Sequence, residues 1–259
     1  MYDCDAISDE IDAVDADPRL GSALVRCLPG TDDTGTILLM GVVHDHPASV
    51  VRVSRLLESF TPDILALELP PLSVPLFRRY ARDSHTPPRL GGEMSAAIRA
   101  VGDARVVGVD APNLPYVRAL IRRLRDDPDG WSLTRTVLAD LGRGLAQAVA
   151  CRVGAVVAAL TPYTPRVYAH IASEATLPDD PETQAGHGAT HLAPHPPVIG
   201  RVRPPPETAL VDDTREDVMA ARIAAIRREG DVAVVVGMSH LDGLVRRLTS
   251  TGEDAVDKR

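Results

Sequence analysis

The sequence predicts an α/β fold, a mostly parallel or mixed central sheet flanked by helices, with a helical insertion between the third strand and the last β-α unit. Two observations predict it. Apolar runs of strand length recur along the chain, and each is accompanied by a segment whose apolar residues return at helical period. The runs are also near-continuous in Val, Ile and Leu, as strands covered by helices on both faces are.

The first run is Thr36 to Val43 (TILLMGVV), and after Pro47 the residues Val50, Val51, Val53, Leu56, Leu57 and Phe60 mark one face of a helix. The second, Asp63 to Leu69 (DILALEL), is entered through Thr61-Pro62. The third, Arg105 to Val109 (RVVGV), follows a helical segment at Gly92 to Ala100. The last, Asp231 to Val236 (DVAVVV), lies between a strong helix at about Thr214 to Arg228 and another from His240 to Leu248. A short strand near Ala23 to Leu28 is placed to pair at an edge.

Between Asp110 and Asp212 no strand is expected. A long helical tract, Trp131 to Leu160, forms the centre of an insertion spanning about 113–210. Behind it the chain is rich in proline and carries His187, His191 and His195 (HGATHLAPHPP), where Pro194, Pro196 and Pro197 oppose a helical metal face. A histidine-bearing loop is expected. Residues 21–250 thus read as one domain, 1–20 as a flexible acidic leader and 251–259 as a tail.

Composition narrows the function. The chain has 259 residues, 44% of them hydrophobic and 25% charged, which is ordinary for a globular protein. Its formal net charge is -8, and of its 28 basic residues only Lys258 is lysine. An acidic surface of this kind disfavours binding to a nucleic-acid backbone, which requires clustered positive charge. It fits a soluble protein of a high-salt cytoplasm, and a GC-rich genome favours arginine over lysine in the same way.

The three cysteines, Cys4, Cys27 and Cys151, are widely spaced without Cys-x-x-Cys, so they are expected to be plain thiols. The start of the chain lacks the basic end and apolar run of a signal peptide, so a cytoplasmic location is expected. The most apolar stretch, Gly144 to Leu160, is short for a bilayer span and contains Arg152. No integral membrane segment is expected, and the tract is read as a lid or a homodimer contact.

Four predicted strands carry a polar group at or near their ends: His44, Glu68, Asp110 and His240. The carboxyl ends of parallel strands line the ligand crevice of an open α/β sheet, so these four are expected to share one cleft. Both histidines stand in the same frame, Gly41-Val42-Val43-His44 and Gly237-Met238-Ser239-His240. Glu68 is surrounded in sequence by Ile64, Leu65, Ala66, Leu67 and Leu69, and a carboxylate buried there requires a cation, a metal or hydrogen-bond donors. One such partner is Arg215, in a structural ion pair. Glu93 and Arg215 lie on predicted helices, and Arg215 is free by its chemistry to pair with Glu68 or Glu93, to bind a substrate carboxylate, or to face solvent. His46, beside Pro47, is expected to stand behind the site or in solvent. Neither a phosphate loop nor a Gly-x-Ser-x-Gly elbow is present.

The ordered set Gly41, His44, Ser49, Pro62, Asp63 and Glu68, then Gly92-Glu93-Met94 with Ala96-Ala97, Arg215, Met219-Ala220, Gly237, His240 and Gly243-Leu244, resembles the TraB/PrgY family. The resemblance runs over most of residues 36 to 248. It departs from the usual pattern at Pro70, where an acid is common, and at Ala111-Pro112, where an arginine is common. That family is similar to the TIKI-type proteins, whose chemistry is a metal-dependent peptidase using two Gly-x-x-His motifs and an acid, and to the erythromycin esterases; pheromone-shutdown proteins belong to it.

The resemblance implies a soluble, peptidase-like hydrolase acting on a peptide or a small ester or amide. Its metal set would be His44, Glu68, His240 and Asp110, with Glu93 or Asp110 as a further ligand or general base. Two imidazoles and a carboxylate suit a divalent ion of the Mn, Co or Zn type. A metal-free, histidine-based esterase and a non-catalytic peptide-capturing protein are the alternatives.

Overall fold

Residues 4–12, 17–126, 130–167, 175–192 and 206–256 are described by the structure, a computed structural model. Five strands, β1 (Val25–Leu28), β2 (Ile37–Val42), β3 (Ile64–Leu67), β4 (Arg105–Gly108) and β5 (Val232–Gly237), form one mixed sheet in the order β1-β2-β5-β3-β4. β1 is an antiparallel edge and the other four are parallel. The last strand in sequence therefore sits at the centre, between β2 and β3.

Side-chain alternation divides the core in two. Leu38, Met40, Leu65, Leu67, Ala233 and Val235 face α2 (Pro47–Ser59), α3 (Val74–Tyr80) and α4 (Gly92–Ala100). Ile37, Leu39, Ile64, Ala66, Val232, Val234 and Val236 face α8 (Pro206–Ile226) and α9 (Met238–Val256). Both faces are covered, which is why the strands read as apolar throughout. The expected insertion consists of α5 (Leu114–Asp126), α6 (Gly130–Leu160) and α7 (Pro181–Leu192). Tyr116, Leu120 and Val137 join α5 and α6 to α8 in a third cluster. The long tract is thus helical and lies outside the sheet.

The amino ends of the strands are tied by acids. Asp231 Oδ1 accepts the Thr36 amide at 2.7 Å, and Asp63 Oδ2 accepts the Asp231 amide at 2.8 Å. Arg52 of α2 is buried and donates to the carbonyls of Leu20 and Gly41, and burial lowers its pKa to about 10. The carboxyl ends are left for chemistry.

Four expectations are corrected: the flexible leader, the plain thiols, the histidine-bearing loop and the tail. The supposed leader contains α1 (Cys4–Asp12), whose Ile7 is buried in the main core, and Cys4 is disulfide-bonded to Cys27 of β1. Contact between α1 and the edge strand brings together two cysteines that sequence spacing leaves 23 residues apart. Cys151 is free and buried, as a thiol in a helical core. The supposed loop contains α7, which carries His187. Its start follows from Asp180, which accepts the Thr183 amide at 2.9 Å, and from Pro181 at the first helical position, where a missing N–H costs nothing. His191 lies in α7, and His195 lies outside the described residues. The expected tail from 251 is a continuation of α9 to Val256.

Leu65 of β3, an interior strand of the sheet, is fully buried. Leu65→Ala is expected to lower unfolding free energy by about 2–5 kcal/mol, as for a buried leucine whose cavity cannot collapse. Urea denaturation followed by circular dichroism checks this, and a loss well below that range would show that the sheet face repacks.

Candidate functional site

At the carboxyl end of β2 the chain runs through Val43 and His44 before α2 begins. Ser49 fixes this turn from the first part of α2, since its Oγ accepts the Val43 amide at 2.9 Å and donates to the Val43 carbonyl at 2.8 Å. The Gly-x-x-His-x-x-x-x-Ser frame therefore has a mechanical reason. His46 is buried rather than solvent-facing, and its Nδ1 caps α2 by accepting the Ala48 amide at 3.1 Å.

His44 Nδ1 donates to Glu93 Oε1 at 2.8 Å, and Glu93 Oε2 accepts the Asp45 amide at 2.9 Å. Glu93 is buried in the first turn of α4, so its carboxylate fixes both the tautomer and the direction of the imidazole. Its hydrogen bond raises the His44 pKa to about 9, against the opposing effect of partial burial. Because the folded value lies above the ordinary 6.5, the pair stabilises the fold in full below that pH. That contribution is lost as pH rises through about 9.

Glu68 follows β3 and is held from three sides. Arg215 Nη2 donates to its Oε1 at 2.8 Å, the Gly237 amide donates to Oε2 at 2.5 Å, and His240 Nε2 lies 3.5 Å from Oε1. Arg215 also donates to both oxygens of Asp110, at 2.9 and 2.7 Å. Burial alone would depress its pKa, but Asp110 and Glu68 more than offset this and raise it. Of the partners open to Arg215, the structure selects Glu68 and Asp110, not Glu93.

Gly237 keeps the centre of the site open. A Cβ there would stand 3.2 Å from Glu68 Oε2 and 3.3 Å from His44 Nε2, so both side chains reach toward the same point above the end of β5.

His240 is in the first turn of α9 and is buried, and its two ring nitrogens face different carboxylates. Nε2 faces Glu68, and Nδ1 donates to Glu216 Oε1 at 3.1 Å. Arg247 Nη1 donates to the other oxygen of Glu216. Glu216 was not among the residues expected from sequence. The available signal is Gly243, three residues beyond His240 on the same helical face, where a Cβ would overlap the Glu216 carboxylate.

A cavity of about 350 Å³ opens over this floor. His44, Asp45, Glu68, Glu93 and Asp110 line its polar end, Phe77, Tyr80, Leu90 and Met94 form apolar walls, and Arg89 and Arg166 also reach it. Tyr80 Oη donates to the Pro165 carbonyl at 2.7 Å, tying α3 to the segment after α6. Gly144 and Gln147 place α6 in the wall, where a lid would stand. His240 and Arg215 are not part of the lining; they act on it through Glu68.

The expected site residues are therefore brought into one neighbourhood, but in two layers. Whether they fit a metal ion is decided by what their donor atoms already do. Both oxygens of Glu68 and both of Asp110 receive N–H donors, and Arg215 supplies a permanent cation between them. Among the described residues no group of three or more His, Cys, Asp or Glu side chains is disposed to hold a metal ion. The set His44, Glu68, His240 and Asp110 does not fit a coordination shell as it stands.

Compared with protein-family models, curated proteins and solved structures, the chain matches none.

Two outcomes follow from this geometry. Glu93→Gln should bring the His44 pKa down from about 9 toward 6.5, read from the pH dependence of its imidazole proton resonances. An unmoved titration would mean that Glu93 does not set it. His240→Ala leaves the buried Glu216 without its imidazole donor, so it should destabilise the protein by about 1–3 kcal/mol. Chemical denaturation measures this, and an unchanged midpoint would place the imidazole in solvent.

Proposed function

We propose that the cleft is the active site of a metal-independent, histidine-based hydrolase that acts on a peptide or a small ester or amide. The observation that carries this reading is the convergence of His44 Nε2 and Glu68 Oε2 on one point above Gly237, at the floor of an otherwise largely apolar cavity. A water molecule held between the two side chains, farther from the Gly237 backbone than that point, would hydrogen-bond to both. The apolar walls suit an acyl or side-chain group of the substrate and exclude bulk water from the reaction.

In this reading neutral His44 takes a proton from the water through Nε2, while Glu93 holds Nδ1–H and stabilises the imidazolium that forms. The water oxygen bonds to the carbonyl carbon. The tetrahedral adduct then collapses, and His44 returns its proton to the departing alkoxide oxygen or amine nitrogen as the C–O or C–N bond breaks. Glu68 orients the water by accepting its second hydrogen. Arg215 and the Gly237 amide hold Glu68 as an anion in place, and His240 with Glu216 supports that placement from behind. His240, Glu216 and Arg215 are positioning residues here, and His44 and Glu68 are catalytic.

The base form of His44 grows as pH rises toward about 9, so turnover should climb over that range and level above it. In Glu93→Gln the rising limb should move to lower pH while maximal turnover falls. His44→Gln should abolish hydrolysis by the folded protein, with the modest fall in melting temperature expected when buried Glu93 loses its imidazole donor. A panel of peptides, anilides and short-chain esters, assayed with and without a chelator, tests the reading. Turnover that vanishes with chelator and returns with manganese, cobalt or zinc would overturn it, as would undiminished turnover in His44→Gln.

A further inference from the structure

Helix α6 buries Val137, Ala148, Cys151, Gly154 and Ala158 against α3, α5 and their surroundings, yet its opposite face is also apolar. Leu138, Leu145, Val149, Val153, Val156 and Leu160 are between 47% and 80% exposed, and exposed Gly142 falls in line with them. At 3.6 residues per turn these seven positions lie within an arc of about 80° and run for about 33 Å along the helix. A helix apolar all round is one that is buried all round.

The stripe has an internal symmetry. Counted from Val149, its members stand at -11, -7, -4, 0, +4, +7 and +11. The flanking positions at -10 and +10 are Ala139 and Ala159. Apolar positions spaced alike in both directions from one centre can each meet an apolar position of a second copy about a two-fold axis, as an isologous contact requires.

We propose that α6 is the contact surface of a homodimer, with two α6 helices packed antiparallel about a two-fold axis at Val149. In that register Val149 meets its own copy, Leu145 meets Val153 of the second chain, Gly142 meets Val156 and Leu138 meets Leu160. Large residues thus oppose smaller ones at the inner positions, and the glycine admits the close approach of a valine.

Charge agrees with this arrangement. Arg152, at +3, comes opposite the exposed Ala146, whereas Arg143, at -6, and Asp140, at -9, lie around the helix away from the stripe. None of these three charges faces another. The segment Thr134–Leu160 is also long and apolar enough to cross a bilayer. However, its other face packs on α3 and α5, and Arg135, Arg143 and Arg152 would be carried into lipid. A second copy satisfies the exposed face without removing the helix from its own domain. Because Gly144 and Gln147 of the same helix line the cavity, the partner would also brace that wall.

Sedimentation equilibrium of the full chain over a concentration series is expected to show a dimer. V149R places two like charges on the axis and should give a monomer with unchanged far-ultraviolet circular dichroism. Cysteine cross-linking tests the register without requiring dissociation. V149C should link to its own copy under mild oxidation. L138C alone and L160C alone should not, whereas their mixture should. Wild type, with Cys4 and Cys27 already paired and Cys151 buried, is the control and should not link. A wild-type chain that stays monomeric at every concentration overturns the proposal. So does L138C linking to itself as readily as V149C, and so does a monomer that co-sediments with anionic vesicles through this face.

Discussion

A buried carboxylate, Glu68, is the constraint on which the site depends. It follows β3, beside the central strand of the sheet, where an unpaired anion would cost several kcal/mol. The chain meets that cost with three donors from three places: the Arg215 guanidinium of α8, the Gly237 amide at the end of β5, and the His240 ring of α9. Each contact ties β3 to an element that follows it by some 150 residues or more in sequence, and the parallel pairing of β3 with β5 brings them level. Docking of α8 and α9 on the sheet is therefore linked to neutralising one acid.

The same acid organises the electrostatics of the cleft. Arg215 is shared between Glu68 and Asp110, so neither carboxylate is left to a mobile cation. His44 stands on the other side, with Glu93 fixing its Nδ1 and raising its pKa. Fixed dipoles and charges of this kind need little reorganisation when charge moves in a reaction. They also carry a cost, because the His44 turn passes through Asp45 in the left-handed region, at φ 59°, a conformation that aspartate tolerates better than most residues. Strain at that residue and polarity at the floor coincide in one place, as they do where structure is held for chemistry.

Much of this was legible in the sequence. The four parallel strands and the helices beside them are visible because a sheet covered on both faces leaves continuous apolar runs, and the polar residue that ends each run marks the crevice. Glu68 could be singled out because nothing else in DILALEL is polar beyond the aspartate that starts it. What was not legible depends on contacts between distant segments. Nothing in the spacing of Cys4 and Cys27 places α1 against β1. Asp180 and Pro181 start a helix that the prolines beyond His191 obscure in the sequence. Glu216 is not marked in the sequence because a single acid on a charged helix is usually solvated, and only the overlap that a side chain at position 243 would create reveals where it points.

The two Gly-x-x-His turns look equivalent in sequence, and the geometry shows why they are not. β2 and β5 are adjacent and parallel, with Val42 level with Gly237, so both histidines leave the sheet at nearly the same height. After β2 the chain travels four residues before α2 begins at Pro47, and the intervening turn, pinned by Ser49, lifts His44 over the sheet edge into the cavity. After β5 there is no such interval, for α9 begins at Met238. Its first turn carries His240 sideways beneath the helix, where Glu216 and Glu68 enclose it. A difference of a few residues between strand end and helix start thus separates an imidazole that faces the cavity from one that holds its neighbour in place, although the local motif is the same.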